Sequence, residues 1–271
     1  MENDPAPRRA PVPPSAPVTV IGSGKGGVGK SLLAAMLAAS HARCGRRTLL
    51  VDADHNLANL HVLLGVEPTR RLEEVARGLI GATDLMVQVD RHLWLLPGDS
   101  GSPTLQGAGP IDRARLYQRI TAAYDPFDIV VVDAGAGLDG VVRACAVAAS
   151  ELMLVTMPEP AALTDAYAVA KVVHLQVPEV PVGVLVNRAR TEAEGREAWS
   201  RIQTAGRRFL RRDFPLLAVV TEDPVLHDIV RAGRPLLAAT ADRPITATMN
   251  TIAHHHEERS GFSAFPVEAR S

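Results

Sequence analysis

Residues 18–40, VTVIGSGKGGVGKSLLAAMLAAS, pass from an apolar run through a glycine-rich loop directly into an alanine- and leucine-rich helical pattern. No other stretch constrains the fold as tightly. Gly24, Lys25, Gly26, Gly27, Val28, Gly29, Lys30 and Ser31 satisfy G-x-x-x-x-G-K-[ST], a motif that has physical meaning only when a strand delivers it and a helix carries the chain away. Both flanks are present, so the first unit is strand, loop, helix.

Five further apolar runs follow: RTLLVDAD, HLWLLPG, FDIVVVDAG, ELMLVTMP and VPVGVLVN. Strands without polar residues in their middle belong to a parallel sheet covered on both faces. Helical spacing separates them, as in Leu33, Leu37 and His41 or in 161–173, and alternating strand and helix means βαβ units. The expected fold is α/β: a single P-loop NTPase domain over residues 18–253, a mostly parallel sheet covered by helices on both faces. A length of 271 residues suits one such core. Residues 1–17, rich in proline with two arginines, are expected to form a flexible arm without a secretory h-region. From 254 the periodicity is lost, and His254, His255 and His256 are expected in a solvated polar tail.

The loop's chemistry follows from its residue types. Glycines let backbone N–H groups turn toward phosphate oxygens, the helix N-terminus adds its positive dipole end, Lys30 reaches the outer phosphates and Ser31 can ligate Mg2+. Asp52 and Asp54 stand at the end of the second run, where aspartates also make turns. The fourth apolar run delivers Asp133, followed by Gly135 and Gly137, which permit close backbone approach. The chemistry is therefore expected at the carboxyl ends of the strands.

Lys25 is superfluous to this cradle. With it the loop resembles the deviant Walker A, K-G-G-x-G-K-[ST], of the MinD/ParA family of P-loop ATPases. That resemblance implies that Lys25 crosses a homodimer interface to the partner's phosphates in the ATP state, making Lys25, Lys30 and Asp54 the catalytic set. It further implies that Asp52 supports the Mg2+ shell with Ser31 and Asp133, and that Asp54 orients the attacking water. N-K-x-D is missing. Asn187, with Arg188 beside it, matches the family's adenine-side asparagine, so ATP is expected over GTP. Glu222 and Asp223 match a second adenine-side segment, P-E-D in the family, although Thr221 replaces its proline.

DADHNLANLHVLLGV, PEPAALTDAYAVAKVV and VLVNRARTEAEGREAWSRI resemble the FlhG (FleN) branch, regulators of flagellar number and placement. This implies a slow, partner-regulated ATPase that meets flagellar switch proteins, an FlhF-type GTPase or a flagellar transcription activator. A MinD-like division-site role and a ParA-like DNA-associated cargo role are the alternatives. The arm lacks the D-Q-A-x-x-L-R pattern linked to GTPase stimulation, so that activity is not carried over. In the family a C-terminal amphipathic helix inserts into the bilayer; here Ala241, Ile245, Met249 and Ile252 share a face, but Pro244 interrupts them and Lys/Arg are sparse. Core packing is the expectation there.

A formal charge of -1 gives no global reason for nucleic acid. Arg207, Arg208, Arg211 and Arg212 form the one basic cluster and read as a solvated helix face. Cys44 and Cys145 suit neither a disulfide framework nor a cluster ligand, and a cytoplasmic location, at most peripheral to the inner membrane face, is expected.

Overall fold

The computed structural model describes residues 16–54, 58–99 and 109–258. Most of the proposed arm, and the chain beyond 258, lie outside them. Eight strands form one sheet: β1 (Val18–Gly22), β2 (Thr48–Ala53), β3 (Val87–Asp90), β4 (Leu93–Leu96), β5 (Ile129–Ala134), β6 (Glu151–Thr156), β7 (Val182–Ala189) and β8 (Leu216–Thr221), in the order β3-β4-β2-β5-β1-β6-β7-β8. Every neighbouring pair is parallel except β3 with β4. The mostly parallel α/β sheet expected from the runs is what forms.

Helices of eight residues or more are α1 (Lys30–Arg43), α2 (Pro110–Thr121), α3 (Leu138–Ala148), α4 (Pro160–Gln176), α5 (Glu192–Ala205), α6 (Pro224–Arg231) and α7 (Pro244–Glu258). They cover both faces and produce two cores. Along β1, Val18 and Val20 join the core that holds Val141, Val169 and Ile202, while Ile21 joins the other, with Leu33, Leu37 and Met249. The alternation of side chains along a strand divides the residues this way. Each such aliphatic side chain contributes about 1.5–3 kcal/mol when removed from water.

Two strands, β3 and β8, extend the six apolar runs. β3 is short, antiparallel and alternately exposed, so its sequence VQVD carries no continuous apolar signal. β8 continues the parallel side next to β7. In the middle, β1 is flanked by β5 and β6, so the connections diverge there and leave a crevice at its carboxyl end.

α7 corrects two expectations. Pro244 is its first residue, where a missing N–H costs nothing, so it opens the helix instead of interrupting it. The helix then runs through the three histidines to Glu258, past the expected boundary at 254. Ile245, Met249, Ile252 and Ala253 are buried against the α1 side of the sheet, which is the packing that the apolar face required. Among the described residues no helix is long and apolar enough to cross a membrane.

Candidate functional site

β1 ends at Gly22, and the glycine loop turns over the carboxyl edge before α1 begins at Lys30. Gly27 and Gly29 hold φ of 79° and 90°, conformations that disfavour any side chain. At Gly29 a Cβ would also stand 2.4 Å from Asn187 Nδ2. Gly24 is restricted differently, because a Cβ there would meet the Asp165 backbone of α4 at 2.4 Å. Gly26 and Gly27 have open space where a Cβ would be, so that side of the loop can accept a ligand.

At the centre, Lys30 Nζ lies 2.5 Å from Asp133 Oδ1, with side chains only 7% and 1% exposed. Ser31 also hydrogen-bonds to Asp133. Burial pushes the Asp133 carboxyl above its ordinary range, while Lys30 and Ser31 pull it back. Its Oδ2 is buried without a partner. An unsatisfied buried carboxylate oxygen beside a lysine, a serine and a helix N-terminus fits a hydrated Mg2+ ion and phosphate oxygens.

Asp52 pairs in register with Asp133 across β2 and β5, so adjacent strand ends place two carboxylates side by side. Asp52 accepts backbone N–H bonds from Asp54 at 3.2 Å, Asn59 at 3.0 Å and Leu60 at 3.1 Å. Burial outweighs those donors, with the Asp133 charge adding to it, and the Asp52 carboxyl is pushed up to about 7. Asp54 stands just past β2, facing Gly135 of the loop after β5; a Cβ on Gly135 would lie 3.5 Å from Asp54 Oδ1. The three aspartates named from sequence therefore converge.

The two loop lysines do not converge. Lys25 is 41% exposed and its Nζ lies 2.9 Å from Glu159 Oε2, just before α4. Glu159 was legible only as part of a longer family-like stretch, since its salt bridge spans 134 residues.

Asn187 lies buried near the end of β7 and braces the loop. Its Nδ2 donates to Val28 O at 2.8 Å and its Oδ1 accepts from Arg188 N at 2.9 Å. An amide retains a second N–H and a second lone pair, so capacity for a base remains. Arg188, at φ 55°, reaches Glu222 at 3.5 Å. Asp223 is engaged elsewhere: it caps α6 through Val225 N and Leu226 N and pairs with Arg243, which the sequence did not single out. Its oxygens are occupied by structural partners, so Glu222 is the freer of the two.

The arginine cluster sits on a π-helical turn, Gly206–Leu210, that ends with Arg211 at φ 53°. Arg207 is held by Asp213 at 2.5 Å, and Arg208 lies over the exposed ring of Phe209. The turn precedes β8, so it stands at the amino ends of the parallel strands, away from the glycine loop.

A strand, a glycine loop and a helix N-terminus closing on a buried lysine–aspartate pair define a P-loop nucleotide-binding protein. Residues 19–236 match the CobQ/CobB/MinD/ParA nucleotide binding domain, and the chain belongs to that family. It is 34% identical to the antiactivator FleN of Pseudomonas aeruginosa over 82% of this chain and 80% of that protein. It is 29% identical to the flagellum site-determining protein YlxH of Helicobacter pylori over 86% and 79%. Among solved structures, the cell division ATPase MinD of Pyrococcus furiosus superposes with a TM-score of 0.74 at 28% identity, covering 90% of this chain and 99% of that one.

Proposed function

We propose that this MinD/ParA-type P-loop ATPase is a switch that dimerises on ATP and governs flagellar number or placement. One observation carries the switch: the two loop lysines are divided, Lys30 buried on Asp133 and Lys25 exposed on Glu159. A lysine held outside its own site is available to a second copy, and an exposed ion pair contributes little against its release. The flagellar assignment is supported by similarity to FleN and YlxH that spans most of the chain; the putative septum site-determining protein MinD of Guillardia theta matches over 82% of it at 30% identity, which keeps the division-site role as the alternative.

In this reading the loop amides, Lys30 and the α1 N-terminus hold the phosphates, and Asn187, Arg188 and Glu222 border the base. Ser31, Asp52 and Asp133 would hold Mg2+, which supplies charge neutralisation at the phosphates; the septum site-determining protein MinD of Pyrococcus horikoshii, 26% identical and solved with Mg-ADP, supports a magnesium nucleotide as the ligand. Asp54 orients the attacking water, and positioning with electrostatic stabilisation accounts for the chemistry.

Asp54→Ala separates assembly from turnover. The variant is expected to bind ATP, remain dimeric and lose hydrolysis; turnover at the parental rate would remove Asp54 from the mechanism. Affinity capture with ATP-loaded Asp54→Ala, beside the ADP-bound parent, tests the biological role. Flagellar switch proteins, an FlhF-type GTPase or a flagellar transcription activator in the ATP sample support it. Division proteins, or DNA with partition factors, would reassign the switch to another process.

A further inference from the structure

Charge is unevenly divided along α5 and the π-helical turn that follows it. Within α5 the arginines are neutralised one turn away: Arg196 pairs with Glu192 at 3.0 Å and Arg201 with Glu197 at 2.7 Å. Beyond Arg201 the next acid is Asp213, which takes Arg207. Arg208, Arg211 and Arg212 are in no ion pair among the described residues. Arg208 lies 5.2 Å from the Phe209 ring centroid, and Arg212 donates to Pro178 O at 3.3 Å, just past α4. Two large apolar side chains project beside these cations: Phe209 is 66% exposed and Leu175, in the last turn of α4, 63%. Lys171, one turn before Leu175, is exposed as well. α4 ends before β7 and the turn before β8, so the whole patch lies at the amino ends of the strands. Of the acids on these two segments, Glu179 is exposed and Asp213 is engaged with Arg207, so positive charge prevails.

We propose that the π-helical turn and the end of α4 form a docking surface for an anionic phospholipid bilayer. Phe209 and Leu175 enter the boundary between headgroups and acyl chains, while Arg208, Arg211, Arg212 and Lys171 meet lipid phosphates, the division between apolar and basic groups that an interfacial element needs. The turn is anchored from inside. At Gly206 a Cβ would meet the buried Phe214 ring at 2.7 Å, and Leu210 rests on the core, which leaves Phe209 outside. π-helical turns of this kind interrupt helices mostly where function requires a side chain to be re-aimed.

Nucleic acid suits the patch less well. Leu175 has no ring on which a base could stack, and one face of the Phe209 ring is already covered by the Arg208 guanidinium. α7 does not supply the contact either, since Ile245, Met249 and Ile252 are buried in the core. The turn stands at the opposite end of the sheet from the glycine loop, so it is open whatever nucleotide is bound. If two copies join across their glycine loops, as proposed above, their turns stand at opposite ends and a flat bilayer meets one of them, so ATP adds no avidity. The docking itself does not require that dimer.

Co-sedimentation of the full chain with vesicles of phosphatidylglycerol and phosphatidylcholine in equal parts, beside vesicles of phosphatidylcholine alone, tests the surface. Binding to the anionic vesicles is expected to be at least tenfold stronger, equal with ADP and with ATP, and to fall at least tenfold when salt is raised to about 0.5 M. Arg208→Gln combined with Arg211→Gln is expected to remove the preference for anionic vesicles, and Phe209→Ser to weaken binding several-fold while leaving its salt dependence. All three side chains are exposed, so thermal melts and ATP turnover of the variants are expected to match the parent's. Binding that is absent in the parent, equal on both kinds of vesicle, confined to the ATP state or undiminished in the doubly substituted chain would overturn the proposal. So would a preference for duplex DNA when DNA and anionic vesicles compete for the parent.

Discussion

Single residues fix the chemistry through burial. Asp52 ionises with difficulty because its charge is buried beside Asp133, and its folded carboxyl sits at about 7 against 3.8 for a free one. A raised acid adds stability below its unfolded value, and that contribution is lost as pH rises through the folded one. Ligand-free protein should therefore lose up to about 4 kcal/mol from this group between pH 4 and 7 and level off above. Thermal melts of parent and Asp52→Asn over pH 4–8.5 check it, the variant showing the smaller slope. Gly29 gives a second case. Alanine there meets both a left-handed backbone, costing about 1–2 kcal/mol, and the Asn187 amide at 2.4 Å. Gly29→Ala should lose nucleotide affinity at least tenfold by calorimetry. The motif announced Gly29, Lys30 and Ser31 in sequence, because a phosphate cradle is local. Glu159, Asp165 and Arg243 carried no such signal, since each acts on a residue far along the chain.

At the scale of elements, the apolar runs that are buried on both faces could be read directly, and β1, β2, β4, β5, β6 and β7 each contain one. β3 could not, because an exposed antiparallel edge alternates too briefly to stand out. α7 shows how a rule can mislead: proline breaks a helix interior but opens a first turn, and only the chain's path decides which applies. Its packing is central to stability. Met249 is completely buried on the α1 side, so Met249→Ala should cost about 2–5 kcal/mol in urea unfolding. α5 rests on β8 through Gly195, where a Cβ would stand 2.3 Å from Val219 Cγ1. Gly195→Ala should cost about 1–3 kcal/mol by the same measurement, without altering nucleotide affinity.

For the whole molecule, the proposed switch makes assembly depend on a lysine that its own site does not use. Lys25→Ala should bind nucleotide as the parent does, yet remain monomeric with ATP in light scattering, alone and in the Asp54→Ala background. A dimer of unchanged strength would remove the cross-subunit role. The sequence by itself determined the strand–loop–helix unit, the parallel sheet and the placement of Asp52, Asp54 and Asp133 at strand ends, because each follows from short-range patterns: apolar runs, a glycine spacing, acids at the ends of runs. Only the tertiary structure decided that Lys25 faces Glu159, that Asn187 braces Val28, that Asp223 serves Arg243, and that His256 is buried beside Glu151 instead of trailing in solvent. Those pairings join residues 20 to 159 positions apart, and where three adjacent histidines point depends on the rotation of a helix about its axis, which neighbouring elements set.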